Sequence, residues 1–238
     1  MQIHIVRFLR VTIALAILAL ASACGSPMIV RVSDQDRNQL KLYPGIRAVH
    51  YEAPPFWITT AGRVLLDDYT LYLNSVPNKD YAKRYLITDP AAGIKESLMQ
   101  ALEKEAGFRK FVSVTQPVAR GSNSNSEAGK AAYGTGMVLE VSTIDWGGMY
   151  FTTNWMRYRL GYTVQARLIR LDGSQHLDNA QVLWKGTCGY NAATHGKYEP
   201  SMDELRENNG ALLKKIVADA GKYCGDQLIS QFFNRDTK

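Results

Sequence analysis

The sequence predicts an α+β fold, in which an antiparallel or mixed β-sheet is covered by two helices. Two segments place apolar residues at helical spacing, one around residue 98 and one near the carboxyl end. Between them, long segments alternate apolar and polar residues with the two-residue period of a strand. The order of strand, helix, strands and helix indicates helices that pack on one sheet.

The clearest strand prediction covers residues 156–171, which have one apolar and one polar face. The apolar face consists of alternate residues, Tyr158, Leu160, Tyr162, Val164, Ala166 and Leu168. Arg157, Arg159 and Arg167 share the opposite face. This alternation is typical of an antiparallel sheet with one packed and one solvated face. Further strands are predicted at residues 46–51, 56–60, 68–73, 108–114, 137–146 and 180–187.

The first helix is predicted from its start signal, its apolar stripe and its stop. Asp89 is positioned to cap the first turn, since a carboxylate can accept from free backbone donors there. Ile94, Leu98 and Leu102 recur at helical spacing, and Gly107 supplies a residue able to end the helix. The stripe predicts a helix that lies on a sheet.

The second helix is predicted over about residues 202–233. Ser201 and Glu204 have the spacing of a capping box, in which each side chain satisfies a backbone donor of the other residue. Its apolar stripe is Leu205, Leu212, Ile216, Ala220, Cys224, Leu228 and Phe232.

Length and charge indicate one globular domain and argue against nucleic-acid binding. The chain has 238 residues, 46% of them hydrophobic, and a formal net charge of +6. Removing residues 1–23 takes away two arginines and no acid, which leaves a net charge of +4. No run of Lys or Arg is dense enough to follow a phosphate backbone, so we expect no nucleic-acid partner.

The amino-terminal segment has the pattern of a secretory signal peptide. Residues 1–10 contain Arg7 and Arg10 and no acid, and residues 11–23 are almost entirely apolar. This apolar run is short for a bilayer span, which needs about 20 residues. We therefore expect the segment to be removed on export.

Small residues at 21–23 followed by Cys24 resemble the signal of bacterial lipoproteins. In that family the cysteine thiol receives a diacylglyceryl group, the chain is cut just before it, and the new amino terminus is usually acylated. The family usually has Leu three positions before the cysteine, where this chain has Ala21. The other interpretation is an ordinary secreted protein in which Cys24 is incidental.

The resemblance implies an address on the envelope. Lipoproteins with Asp after the cysteine tend to stay at the inner membrane, and this chain has Gly25 there. We therefore expect the periplasmic face of the outer membrane, with two or more acyl chains giving stable anchoring. The chain would divide into a signal at residues 1–23, a lipidated amino terminus and tether at 24–45, and a single α+β periplasmic domain at 46–238.

The cysteines other than Cys24 form a candidate disulfide. With Cys24 lipidated, Cys188 and Cys224 remain as a pair in an oxidising compartment, where disulfides persist. Such a bond would join the last strand to the last helix. The alternative is two separate buried thiols.

No catalytic site, cofactor site or metal site is predicted. His50, His176 and His195 are the histidines after the signal, and their spacing matches no metal-binding pair. The chain also lacks a Gly-x-Ser-x-Gly elbow and a phosphate-binding glycine loop. We expect a protein that is not an enzyme.

The candidate partner-binding residues are aromatic and lie between two predicted strands: Trp146, Tyr150, Phe151 and Trp155. One interpretation is that a long hairpin folds over and packs these rings on a neighbouring layer. The other is a partly exposed tip that contacts a protein, an acyl chain or a glycan.

Four arginines near this aromatic segment have two interpretations as well. Arg157, Arg159, Arg167 and Arg170 could form a basic stripe beside the tip, or they could be the solvated side of a half-buried sheet.

The sequence therefore predicts a non-enzymatic outer-membrane lipoprotein that binds a protein partner or an envelope component. In outline, the domain is similar to the auxiliary lipoproteins of ABC-type lipid transporters, which implies a role accessory to envelope transport or assembly. Two other classes stay open. One is a periplasmic hydrolase whose carboxylates are dispersed in sequence, and the other is a purely structural envelope protein.

Overall fold

A computed structural model describes residues 38, 45–58, 81–108, 111–120, 136–151, 154–170 and 181–234. The predicted signal peptide, Cys24, most of the tether and the predicted strand at 68–73 lie outside these residues. At positions 151 and 155 the backbone is described and the side chains are not.

The described strands form one mixed sheet. They are β1 (Ile46–His50), β2 (Trp57–Ile58), β3 (Phe111–Ser113), β4 (Met137–Phe151), β5 (Asn154–Arg170) and β6 (Gln181–Asn191). The order across the sheet is β3-β1-β4-β5-β6. Strand β2 pairs with β4 beyond the end of β1, at Gly147 and Gly148.

The helices among the described residues are α1 (Tyr81–Tyr85), α2 (Ala91–Ala106), α3 (Ala192–His195) and α4 (Met202–Phe232). The long helices α2 and α4 contribute their apolar stripes to the main core against the sheet. The predicted class, an α+β fold with a mixed sheet and two covering helices, is confirmed.

Parallel and antiparallel pairing divide the sheet at β4. Strand β1 runs parallel to both β3 and β4, whereas β4, β5 and β6 are successively antiparallel. The β4–β5 hairpin is long, with strands of 15 and 17 residues. Since β6 pairs with β5 only as far as Gly161, residues 154–160 extend beyond β6.

The predicted alternation along β5 is confirmed. All six residues of its apolar face are 6% exposed or less: Tyr158, Leu160, Tyr162, Val164, Ala166 and Leu168. The next strand adds Trp184, which is fully buried and meets the Phe232 ring of α4 edge-on at 5.1 Å. The core therefore lies between this face of the sheet and the two long helices.

Helix α2 begins and ends as its sequence predicts. The Asp89 carboxylate accepts from the Ala91 amide at 3.1 Å, although Pro90 occupies the capping position itself. Gly107 adopts a left-handed conformation with a φ of 69°, and its amide donates to Leu102. Ile94, one residue of the predicted stripe, is 2% exposed.

Helix α4 has the predicted capping box, but its stripe was partly wrong. Ser201 and Glu204 each accept from the backbone of the other. Residues 207–210 leave helical geometry. Leu213 is fully buried, whereas Leu212, which was predicted in the stripe, is half-buried and packs against the edge of the main core. Gly210 has a φ of 73° and lies against Tyr85, whose Cγ is 2.9 Å from where a Cβ would stand. This position requires glycine.

The predicted disulfide between Cys188 and Cys224 is present in the structure, with Cα atoms 5.5 Å apart. It joins β6 to α4 across the core.

Side chains of the helices also hydrogen-bond to both edges of the sheet. Gln231 of α4 both donates to and accepts from the backbone of Thr187, and Glu103 of α2 accepts from the Phe111 amide. These contacts satisfy edge groups that could otherwise pair with another strand.

Candidate interaction surface

The two faces of the sheet differ in what covers them. One face packs on α2 and α4. The opposite face, called the open face here, carries a separate small apolar cluster built from strand and loop residues: Val49, Val118, Val138 and Ile169, with Tyr51 and Val114 against them. No described helix contributes to this cluster.

The centre of the open face holds an ion pair whose carboxylate is buried. Glu140 is 2% exposed, and its Oε2 lies 2.6 Å from the guanidinium of Arg167, its direct cross-strand neighbour. The Tyr51 hydroxyl donates to Glu140 Oε1 at 2.7 Å. Burial and the adjacent carboxylate raise the pKa of Tyr51 well above its usual value. Glu140 is thus neutralised and held in place, as a buried charge must be.

A second carboxylate, the half-buried Asp89, lies on the helix-covered side. Its Oδ1 accepts from Thr143 Oγ1 at 2.6 Å, and Thr143 is 3.1 Å from the Tyr162 hydroxyl. Burial is the main cause that raises the pKa of Asp89. Because Asp89 and Glu140 lie on opposite faces of the sheet, these two carboxylates cannot act together on one bond.

The described histidines, His50 and His195, have structural surroundings in this fold. His50 is 7% exposed and its Nδ1 lies 3.4 Å from Nζ of Lys95, which is itself 1% exposed and donates to the Val114 carbonyl at 2.7 Å. Burial and the lysine lower the pKa of His50. His195 packs on the ring of Tyr223 at 4.5 Å. His176 lies outside the described residues.

Within the parts of the chain that the structure describes, no three His, Cys, Asp or Glu side chains are arranged to hold a metal ion. A cavity of about 10 Å³ lies between the sheet and α4, beside Trp146, Tyr190 and Ile216. That volume accommodates about one water molecule, and the lining is mainly apolar. It does not provide a substrate site.

The predicted aromatic contact surface needs a correction at Trp146. This residue is 3% exposed, its Nε1 donates to the Pro54 carbonyl at 2.6 Å, and its ring meets Phe56 edge-on at 5.1 Å. A register shift between Thr143 and Asp145 turns Trp146 toward the helices, opposite Tyr162. It is therefore a core residue and cannot be a contact for a partner.

The other three predicted contact residues divide into two groups. Tyr150 is half-buried and packs against the main core. The side chains of Phe151 and Trp155 lie outside the described residues, so their predicted role stays a prediction. The exposed apolar residues at this end of the hairpin are instead Met149 and Met156, 49% and 75% exposed.

Trp57 is an open-face aromatic residue that the sequence reasoning missed. Its strand pairs with β4 at Gly147, and its ring atoms lie 2.6 Å from where a Gly147 Cβ would stand. Its Nε1 donates to Asp145 Oδ1 at 2.8 Å. The signal in the sequence was the glycine inside a strand pattern, which indicates a close approach by a neighbouring group.

Exposed apolar residues occur at both ends of the open face. By register and alternation, Val112 and Val182 lie at one end and Met149 at the other, with Ile144 at the register shift in β4. Their exposed fractions range from 36% to 50%. Together with the half-buried Trp57, they give this face a scattered apolar character.

The charges on the open face are mainly positive. Alternation along the strands places four cations there, Arg47, Arg159, Arg167 and Lys185. Among the described strand residues, the acids at open-face positions are Glu140 and Asp145. The predicted basic stripe is thus only partly present, because Arg157 turns to Glu204 at 2.8 Å and Arg170 bonds Gln181.

Comparisons with known proteins assign no family. No protein-family model matches the chain, and no curated protein matches it. Solved structures that align with this chain include the hypothetical protein CT253 from Chlamydia trachomatis, at 7% identity and a TM-score of 0.30, covering 79% of this chain and 97% of that one.

A second solved structure is the lipoprotein GNA1162 from Neisseria meningitidis, at 13% identity and a TM-score of 0.28, covering 75% of this chain and 98% of that one. Similarities this low assign neither a family nor a function.

In the described part of this chain, no helix combines the length and the apolar composition of a membrane span.

Proposed function

We propose that this protein is a lipoprotein of the bacterial cell envelope, held on the periplasmic face of the outer membrane by an acylated Cys24. The observation that carries the proposal is the amino-terminal pattern: a basic start, an apolar run at residues 11–23, small residues and then Cys24. The cysteine becomes the first residue of the mature chain.

The disulfide supports an exported protein. Cys188 and Cys224 are joined, and disulfides persist in oxidising compartments such as the periplasm. Cys24 is thereby left as the cysteine free for acylation, as the lipoprotein pattern requires.

We further propose that the domain is a non-enzymatic binding module, in which the open face contacts a protein partner or an envelope component. No described helix contributes to the apolar cluster of this face, and its buried carboxylate is neutralised by Arg167. A hydrolase is the competing function. It is less well supported, since Glu140 and Asp89 lie on opposite faces of the sheet.

The test of anchoring is Cys24→Ala. We expect this change to move the protein from the membrane fraction to the soluble fraction, because the thiol that accepts the lipid is gone. The matched control replaces Cys188 and Cys224 by Ala and keeps Cys24, and it should remain on the membrane. A mature chain that begins at Met1, or that carries an unmodified thiol at Cys24, would contradict the proposal.

The test of the address is Gly25→Asp, followed by separation of inner and outer membranes on a density gradient. We expect the variant to shift toward the inner membrane, whereas Gly25→Ser should remain in the outer-membrane fraction. If both variants have the same distribution between the inner and outer membranes, the outer-membrane assignment is contradicted. That result would not bear on the lipid anchor itself.

A further inference from the structure

We propose that His50 and Lys95 form an acid-sensitive latch, which holds residues 114–118 against the apolar cluster of the open face. Protonation of His50 releases these residues and opens the cluster. The inference rests on the proposed function and deepens it, because it assigns a regulation to the proposed contact surface.

The latch is a buried amine beside a buried imidazole. Nζ of Lys95 lies 3.4 Å from Nδ1 of His50, and the two residues are 1% and 7% exposed. The same Nζ donates to the Val114 carbonyl at 2.7 Å and lies 3.3 Å from the Glu96 carboxylate. Because an ammonium group has only donors, Nδ1 of His50 must be unprotonated to accept from it. The closed latch therefore requires the neutral ring.

Residues 114–118 connect the latch to the open face. The Val114 amide donates to the Ala48 carbonyl, and the Val118 amide donates to the carbonyl of His50 itself, each at 2.8 Å. The Val118 side chain is 5% exposed within the open-face cluster, and Val114 packs against that cluster. The two latch residues thus both bond to the backbone of the segment that completes the cluster.

The charged groups that face the His50 ring come from α2. Burial is the largest influence and lowers the pKa of His50 below its usual value of 6.5, Lys95 lowers this pKa further, and Glu96 raises it. On the neighbouring strands, Val141 of β4 is uncharged. Arg120, which follows β3, donates to two carbonyls of β4. The balance of these groups favours the neutral ring.

Protonation of His50 would place a second positive charge 3.4 Å from Lys95. The two cations repel each other, and burial leaves little water to screen them. Nδ1 of the ring also changes from an acceptor to a donor, so it no longer accepts from the lysine. We therefore expect Lys95 to move away from the ring and from the Val114 carbonyl, which removes the tie between residues 114–118 and α2.

The direction of the response follows from the lowered pKa of His50. The folded protein disfavours the protonated ring, so the latch is fully stable above about pH 6.5 and weakens as the pH falls below that value. Asp89 lies just before α2 and responds in the opposite direction, because its pKa is raised and its protonated form is favoured. A loss of protection on acidification is therefore not an effect of Asp89.

The experiment is hydrogen exchange, measured by mass spectrometry on the full lipidated protein in detergent at about pH 7.5 and about pH 5. Exchange is corrected for the intrinsic effect of pH on amides. We expect amides in residues 111–120 to lose protection by about tenfold at the lower pH, since one unit of pKa difference changes an equilibrium tenfold. Amides of β5 and β6 should keep their protection.

Three variants assign the response to the latch. His50→Gln keeps a side-chain acceptor but cannot be protonated, so we expect residues 111–120 to exchange equally at both pH values. The matched control is His195→Gln, which removes the exposed histidine of α3 and should leave the tenfold loss in place. Glu96→Gln removes the charge that favours the protonated ring, so it should move the midpoint of the loss to lower pH.

Three results would overturn the inference. They are equal protection of residues 111–120 at both pH values in the wild type, an undiminished pH response in His50→Gln, and loss of the response in His195→Gln. If His50→Gln does not fold, Glu96→Gln decides, and an unchanged midpoint would contradict the latch. Exchange is measured without a binding partner, so failure of the latch is distinguishable from failure of the proposed binding function.

Discussion

The covered and open faces of one sheet show two ways of burying strand residues. On the covered side, α2 and α4 bury a continuous core in which Leu98, Leu139 and Trp184 are fully inaccessible. On the open side, four aliphatic residues and the Glu140 carboxylate are buried largely by strand neighbours and a short loop. The difference suggests that the covered face provides most of the stability and the open face is available for contact.

The disulfide gives the largest expected effect on the covered side. Replacing both Cys188 and Cys224 by Ala removes a crosslink between residues 36 positions apart. In the chain-entropy account, this should lower the free energy of unfolding by about 4 kcal/mol. Urea denaturation followed by circular dichroism measures the change. A loss below about 1 kcal/mol would mean that the bond does not constrain the unfolded chain.

Two neighbouring residues of β4 test the contrast between the faces directly. Leu139 points to the covered core and Val138 to the open-face cluster, and both are fully buried. We expect Leu139→Ala to cost about 3 kcal/mol and Val138→Ala about half of that, because valine loses fewer atoms and its small cluster can collapse more easily. Equal costs would show that the open face is packed as tightly as the core.

Glycines on the open face test how closely Trp57 approaches β4. A Cβ at Gly147 would stand 2.5 Å from the Trp57 carbonyl, so Gly147→Ala should displace β2 and cost about 2 kcal/mol. Gly189 has no heavy atom within 4 Å of a Cβ, and Gly189→Ala is the matched control with little expected cost. Thermal unfolding measures both variants, and we expect the lower melting temperature for Gly147→Ala. Equal melting temperatures would contradict the close approach of Trp57.

The smallest effect concerns pH and the Asp89 carboxylate. Burial raises the pKa of Asp89 in the folded state, so the folded protein favours the protonated carboxyl. The folded state is therefore more stable at low pH, and this extra stability is lost as the pH rises through the folded-state pKa. Stability of the wild type relative to Asp89→Asn should therefore increase as pH falls from 7 toward 4. Parallel stability curves for the two proteins would refute this assignment.

Much of the fold could be predicted because it depends on short-range patterns. The alternation along β5, the Asp89 start signal and the capping box of Ser201 and Glu204 involve residues close in sequence. The disulfide also followed from counting cysteines, without knowledge of the fold. Leu212 was predicted in the stripe of α4, and the structure leaves it half-buried while its neighbour Leu213 is fully buried.

The candidate surface was less predictable. Trp146 and Met149 are three residues apart in one aromatic segment, yet one is buried and the other is half-exposed. A single register shift decides which face each of them occupies. Trp57 was missed because its neighbour Gly147 is ninety residues away in the chain.

By itself, the sequence determined the class of fold, the start of both long helices and the apolar face of β5, and it favoured the pairing of Cys188 with Cys224. These depend on local spacing and residue chemistry, which do not require knowledge of distant contacts. Only the tertiary structure decided that Trp146 faces inward, that Glu140 is paired and that no described helix contributes to the apolar cluster on one face of the sheet. Those outcomes depend on strand register and on the packing of segments far apart in sequence, where a shift of one residue exchanges the two faces.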